Sequence, residues 1–387
     1  MQTPGPLAGI RVLDMSQGIA GPSCGGHFAE FGADVIKIEP PEGDWIRALG
    51  SRVAGSSSPT VLYNRGKRSI VVDLRKPRGR DLALRIAGTA QVVIESARPG
   101  VMERLGLGFE AIRKHQPDII YVSISGFGHV GPDRERPLTD TMAQAKSGLM
   151  SVMRSRDGAP VKMDAPVIDA VTGLYAFQAA SMALWGKVPG SGARHLDISL
   201  MQSAAHILGP GILEWNYVGR APGILNPPAG NYRTADGWIA ITLVNEAQYR
   251  GICRAAERPD LADDPRFDTV AGRKENLGEL RRLLDDVLAT RTTAEWVERF
   301  EQEGALASAI ATYGDWLDDP QTLAADAAPR YAFANGESVR IPHLPGQPPN
   351  AAHVPALGEH GAAVLADLGL QPTEIEDLTA AGVVKIA

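Results

Sequence analysis

Asp169 is a carboxylate in an apolar stretch, Val167-Ile-Asp-Ala-Val171, directly ahead of a run of small residues at Ala170, Gly173, Ala176, Ala179, Ala180 and Ala183. Two compatible roles suit it. As a helix N-cap its oxygens would accept backbone N–H bonds. Ionised beside a helix N-terminus and partly desolvated, it could equally serve as a nucleophile. A second feature is cationic: Arg65, Lys67, Arg68, Arg75, Lys76, Arg78 and Arg80 are offset only by Asp73, in a chain whose net charge is −6. That local reversal of sign suits a polyphosphate ligand, and a solvated charged face explains it as well. A third feature is Gly126-Phe-Gly-His-Val-Gly131, which has the spacing of a dinucleotide loop. Such a loop needs a helix opening on its glycines. Here Pro132-Asp-Arg-Glu-Arg-Pro137 follows instead, so a glycine-rich surface loop is the better reading. The eight histidines show no metal spacing, and H-E-x-x-H, C-x-x-C and P-loop patterns are missing. No metal centre is expected.

The elements that must position these residues read as α/β. Runs at 10–15, 35–39, 69–74, 91–95 and 119–125 have the β-branched, apolar character of buried strands, and helical patterns separate them at 22–31, 78–86, 101–105 and 109–114. Strands spaced by helices predict βαβ units and a mostly parallel sheet covered on both faces. The first strand–helix junction, Ser16-Gln-Gly-Ile-Ala-Gly-Pro22, falls where open α/β sheets bind ligands. Glu39 could serve there as a ribose-binding acid and Lys37 could meet a phosphate, although a plain turn accounts for the spacing too. The small-residue segment 170–185 predicts a buried central helix, followed by a strand at 195–199 and a helix at 201–208. Residues 219–230, rich in proline and glycine, read as a linker into a second unit with a strand at 237–243. Charged helix occupies 275–303, where Thr292 and Glu295 fit a capping box. Five prolines in 341–355 predict an extended connector, and helical patterns at 358–368 and 373–381 close the chain.

Composition bounds the function. With 387 residues, 44% hydrophobic and 22% charged, the chain has the profile of an ordinary globular protein of two or three domains. Its acidic balance argues against nucleic acid as a partner. The uncharged stretch 170–186 is short for a membrane span, and the first nine residues lack a signal-peptide pattern. With only Cys24 and Cys253, no disulfide framework is expected and a reducing cytoplasm fits.

Several segments, in order, resemble the class III CoA-transferases, a family that includes formyl-CoA transferases, carnitine CoA-transferases and 2-methylacyl-CoA racemases. They are Pro6-Leu-Ala-Gly-Ile-Arg-Val-Leu-Asp14, Ala20-Gly-Pro22, Gly32-Ala-Asp-Val-Ile-Lys-Ile-Glu-Pro40, Asn64-Arg-Gly-Lys-Arg-Ser-Ile70, Arg98-Pro-Gly100, Arg104-Leu-Gly106, Ser125-Gly-Phe-Gly128, Thr234-Ala-Asp-Gly-Trp238 and Leu357-Gly-Glu-His360. The resemblance implies a Rossmann-like large domain from both chain ends (1–218 with 331–387), a smaller α+β domain (219–330) and an interlocked homodimer. It implies CoA thioesters and carboxylic acids as substrates, with no permanently bound cofactor. The basic run would hold the CoA nucleotide, with Val72 and Arg75 at adenine and phosphate positions and Lys37 and Arg104 lining the nucleotide. Gln17 and the turn around it would lie near the thioester, Asp140 would be among the CoA-binding residues, and Asp169 would be the nucleophile. Two departures bear on the reaction. Racemase members carry a histidine where this chain has Leu138-Thr-Asp-Thr141, which favours transfer over racemisation at C2. Formyl-CoA transferases have a glycine run where this chain reads Asn226-Pro-Pro-Ala-Gly-Asn231, so formate or oxalate specificity is not expected. An acyl-CoA racemase is the alternative, and a NAD(P)-dependent dehydrogenase, resting on the 126–131 glycines alone, is a more distant one.

Overall fold

The computed structural model describes residues 5–155, 157–188, 190–219, 224–348 and 352–386. The chain divides into two compact units, one of residues 1–209 with 327–387, the other of 210–326.

The larger unit is built on a seven-stranded sheet. Its first strands and helices are β1 (Arg11–Asp14), α1 (Ala20–Glu30), β2 (Asp34–Glu39), β3 (Arg68–Val72) and α2 (Pro77–Ala87). Then come β4 (Val92–Glu95), α3 (Phe109–His115), β5 (Ile120–Ser125), α4 (Asp140–Lys146), α5 (Val167–Trp185), β6 (Arg194–Ser199) and α6 (Leu200–Ile207). The closing segment adds α7 (Gly361–Asp367), α8 (Pro372–Ala380) and β7 (Val384–Lys385). Spatial order is β7-β3-β2-β1-β4-β5-β6, parallel throughout except for the antiparallel edge strand β7. The chain therefore winds outward from β1 in one direction, then returns and winds outward in the other. The reversal between β1 and β4 opens a crevice at the carboxyl ends of the strands.

Successive residues of each strand face opposite sides of the sheet. Leu13, Ile36, Val72 and Val93 pack under α2, α3, α7 and α8, while Val12, Val35, Val92 and Ile94 pack under α1, α5 and α6. Apolar layers on both faces explain why these strands read as unbroken hydrophobic runs. Helix α5 departs from the sequence reading. It begins at Val167 and is buried on one stripe only, formed by Ile168, Thr172, Gly173, Ala176, Ala180 and Ala183. Met182 and Trp185 on its other side are 61% and 89% exposed. Contrary to the expectation from 170–186, its 19 residues are long and apolar enough to cross a membrane by length and composition, as the core helix of a soluble protein can also be. Gly173 is the point of closest approach to α1, because a Cβ there would lie 2.7 Å from the Ala20 carbonyl oxygen.

The smaller unit holds a three-stranded antiparallel sheet, Leu306–Ala309, Trp238–Thr242 and Gly230–Arg233, against helices that include Glu246–Ala255, Leu277–Leu288 and Thr293–Gln302. The Thr292–Glu295 capping box is formed as the sequence predicts. Residues 220–223 of the expected linker and 349–351 of the connector lie outside the described residues; the rest of 341–355 contains no helix or strand.

Candidate active site

Because β1 to β6 run parallel, the turns that follow them gather at one edge of the sheet. A cavity of about 400 Å³ lies there, lined among others by Gln17, Gly18, Ser96, Ser125, Thr139 and Asp169. Asp169 is the third residue of α5 and not its N-cap. That task falls to Asp140 at the start of α4: its Oδ2 accepts the N–H of Ile168 at 2.7 Å and of Asp169 at 3.1 Å. Asp140 Oδ1 accepts from Gln144 Nε2 at 2.5 Å. Fully buried Gln144 also accepts the Met163 N–H and donates to the carbonyls of Met163 and Ala165, so one amide fixes both Asp140 and the segment leading into α5. Burial, reinforced by the like charge of Asp140, pushes the Asp169 carboxyl up to about 7. A carboxylate there carries a high-energy charge, which suits it to attack.

The Gln17 turn is held from below. The Gln17 N–H donates to Ser96 Oγ at 2.9 Å, and the Gly18 N–H to Asp44 Oδ1 at 3.0 Å. Gly18 has φ +83°, and a Cβ on it would lie 2.6 Å from the Trp45 ring, so only glycine fits the turn. Beneath it lies a buried ionic network. Lys67 Nζ contacts Asp14 Oδ2 at 2.8 Å, while Lys37 Nζ contacts Asp44 at 3.1 Å and the Ser16 carbonyl at 2.8 Å. Asp14 and Lys37 are register partners on adjacent strands. Burial opposes the Lys37 charge, yet Asp14, Asp44 and Glu39 together hold its pKa above the usual lysine value.

The structure thus brings Gln17, Asp140 and Asp169 together and corrects other expectations. Lys37 is 1% exposed and committed to this network, because β2 is central and covered on both faces; it does not line a nucleotide. The Val72 side chain is fully buried in β3, paired to Val384 of β7, and offers no surface to an adenine. The basic run divides in the same way. Arg65 pairs with Glu30, Lys67 with Asp14, and Arg68 with Asp34 and Asp367, so these three cations serve the fold. Arg75, whose side chain is 71% exposed beside Asp73, and Arg104, exposed at the end of helix Val101–Arg104, remain accessible. Arg75 lies three residues past the carboxyl end of β3, and Arg104 closes the helix that follows β4. No helix opens on the 126–131 glycines; the next begins at Asp140. Among the described residues no His, Cys, Asp and Glu cluster suited to a metal occurs.

Sequence reasoning missed Asp14, Asp44, Ser96 and Gln144. A signal existed for the first: Asp14 and Lys37 are ions of opposite sign inside otherwise apolar strands, which need partners once buried.

The first turn of α1 has no side-chain cap, and Ile19, Ala20 and Gly21 line the Asp169 cavity. Its N-terminal amides and partial positive charge thus border the carboxylate. The arrangement comprises a nucleophile, a donor set and an open crevice.

Comparison with known proteins agrees. The model of CoA-transferase family III matches residues 7–361. A succinate–glutarate CoA-transferase of Agrobacterium fabrum is 34% identical over 94% of this chain and 96% of its own. A probable fatty acyl-CoA transferase of Mycobacterium tuberculosis is 31% identical over 93% and 98%. The crystal structure of a CAIB/BAIF family protein from Brucella suis superimposes with a TM-score of 0.83 at 32% identity, covering 95% of this chain and all of that one. The chain belongs to CoA-transferase family III.

Proposed function

We propose that this enzyme moves CoA from an acyl-CoA to a carboxylic acid, with Asp169 as the covalent nucleophile. The observation that carries the reading is the environment of Asp169: a carboxylate desolvated in a crevice at the carboxyl ends of the strands, held by Asp140 at the head of α5. The ionised carboxylate attacks the thioester carbonyl, forming an aspartyl acyl anhydride and releasing CoA thiolate. The thiolate attacks the aspartyl carbonyl, leaving an aspartyl-CoA thioester and the first free acid. The second acid's carboxylate attacks that thioester to form a new anhydride. CoA thiolate then takes the new acyl group and regenerates Asp169. Each step replaces one hard displacement by an easier one. The uncapped amides at the start of α1 are placed to stabilise the developing oxyanions. Arg75 and Arg104 provide accessible charge for the nucleotide phosphates, and Gln17 borders the thioester. Thr139, at the cavity wall, lacks the acid–base chemistry that racemisation at C2 requires. The working unit we infer is a homodimer, supported by the exposed apolar side chains Met182 and Trp185 on α5 and Leu213, Trp215 and Tyr217 on the helix Gly209–Val218.

The test is chemical. Incubation with acyl-CoA and hydroxylamine should inactivate the enzyme with a hydroxamate at Asp169, and Asp169→Ala should abolish transfer. Transfer at the wild-type rate in that variant would refute the mechanism.

A further inference from the structure

A second cavity, of about 360 Å³, lies along α1 and α5. We propose that it holds the hydrocarbon chain of the acyl group exchanged on Asp169, and that the enzyme therefore selects apolar monocarboxylic acids over dicarboxylic ones. The inference rests on the nucleophilic role of Asp169 proposed above and adds the class of acid.

Position is the first argument. Ala170 and Val171, the residues directly after Asp169, line this cavity, as does Leu174 one turn on. Tyr63, also in its wall, experiences the charge of Asp169. Helices α1 and α5 run alongside each other in the same direction: Gly173 meets Ala20 and Ser23, and Phe177 further along meets His27, Phe28 and Phe31. The cavity follows this seam away from the nucleophile. From Ala20, beside Asp169, to Glu30 at the other end of α1 is about 15 Å of helix.

The walls supply the second argument. Leu62, Val171, Leu174, Pro342 and Leu344 present hydrocarbon to the space, as a pocket for an apolar chain does. The charges in the lining supply the third. Arg65, the cation that could meet a distal carboxylate, is engaged by Glu30 Oε1 through both Nε at 3.2 Å and Nη2 at 2.5 Å. The other Glu30 oxygen is buried, with no hydrogen-bond partner among the described residues. A second carboxylate arriving there would be desolvated beside an ion pair whose cation is already taken, with no free positive charge to compensate it, which is unfavourable.

The experiment measures kcat/KM of the full-length enzyme with acetyl-CoA as donor. Acceptors are the straight-chain acids from acetate to octanoate, with the acetate isotopically labelled so that its exchange with acetyl-CoA can be followed, and succinate, glutarate and adipate. The expected result is a rise of roughly fourfold per added methylene, equivalent to about 0.8 kcal/mol, until the cavity is filled. Each dicarboxylate should fall at least about tenfold below the monocarboxylate of equal length. Leu174→Phe, which narrows the cavity, should lower the octanoate-to-acetate ratio. Glu30→Ala, which removes the negative charge and frees Arg65, should raise the glutarate-to-valerate ratio. A flat chain-length profile, a wild-type preference for dicarboxylates, or an unchanged ratio in Leu174→Phe overturns the assignment; this last measurement decides if Glu30→Ala does not fold. Failure of the underlying reading looks different: hydroxylamine trapping at Asp169 would then be missing with every acyl-CoA, whatever the acid preference.

Discussion

Replacing Asp169 by asparagine should stabilise the protein, by an amount that grows with pH. The folded state holds this carboxyl near 7 against an ordinary value of 3.8, through burial first and Asp140 second. At about 1.4 kcal/mol per pH unit, ionising it in the fold costs about 4 kcal/mol more than ionising it in the unfolded chain. The sign follows from the order of titration. Below pH 4 the group is neutral in both states and costs nothing. Between 4 and 7 the unfolded chain ionises first and gains on the folded state. Above 7 both are charged and the full cost is present. An amide of the same shape carries none of it. In urea unfolding, Asp169→Asn should exceed wild type by about 1.5 kcal/mol at pH 5 and about 4 kcal/mol at pH 8.5, a divergence of about 2.5 kcal/mol. Titrating groups that do not interact with Asp169 cancel in this difference. Activity should move oppositely: wild-type kcat/KM should rise with pH to a plateau with its midpoint near 7, as the nucleophile ionises, while the variant shows no transfer. Stability curves for the two proteins that stay parallel across this range would refute the claim that Asp169 carries a strained charge.

Two further changes probe what surrounds it. Asp140→Asn keeps the shape of the cap but removes the like charge, so the midpoint of the pH–activity profile should fall below that of wild type. The weaker cap should cost about 0.5–2 kcal/mol in urea unfolding, and an unchanged midpoint would exclude an electrostatic role for Asp140. Lys67→Met should cost about 3–5 kcal/mol in the same assay, because it leaves Asp14 as a poorly compensated buried carboxylate beneath the Gln17 turn. A loss below about 1 kcal/mol would show that Lys37 alone suffices to neutralise it.

Much of the fold could be read because its signals are local. The strands at 35–39, 91–95 and 119–125 and the capping box at Thr292 each depend on residues within one element, and all appear within a residue or so of their expected bounds. Asp169 was legible for the same reason: an acid ahead of an alanine-rich helix is a pattern of neighbours. Edge strand β7 was not. Val384 and Lys385 lie in the β-branched run Val383-Val-Lys-Ile386, too short to identify a strand by itself, and pairing with Val72 and Val71 of β3 makes them one.

The basic run shows where local reading stops. Lys67 and Arg75 sit eight positions apart in one charged segment, yet one is sealed against Asp14 and the other lies mostly in solvent. What separates them is the position of their partners. Asp14 is 53 residues from Lys67, and Asp34 is 34 residues from Arg68. Asp73 is two residues from Arg75 and exacts no burial. The same holds for the acids: Asp140 reaches the head of α5 across 28 residues of chain, so its role as a cap was invisible while the helix it caps was plain. In a parallel sheet this division is systematic. Strand neighbours lie a crossover apart, so ionic side chains inside strands must find partners tens of residues away. Those in the turns at the carboxyl ends can stay exposed where a ligand can reach them, as Arg75 does, although Asp44 in the turn after β2 is buried against Lys37. Lys37 and Arg75 differ in accessibility because one lies within a strand and the other follows one. Strand boundaries, which the sequence does reveal, are therefore the better guide to which cations a phosphate can reach.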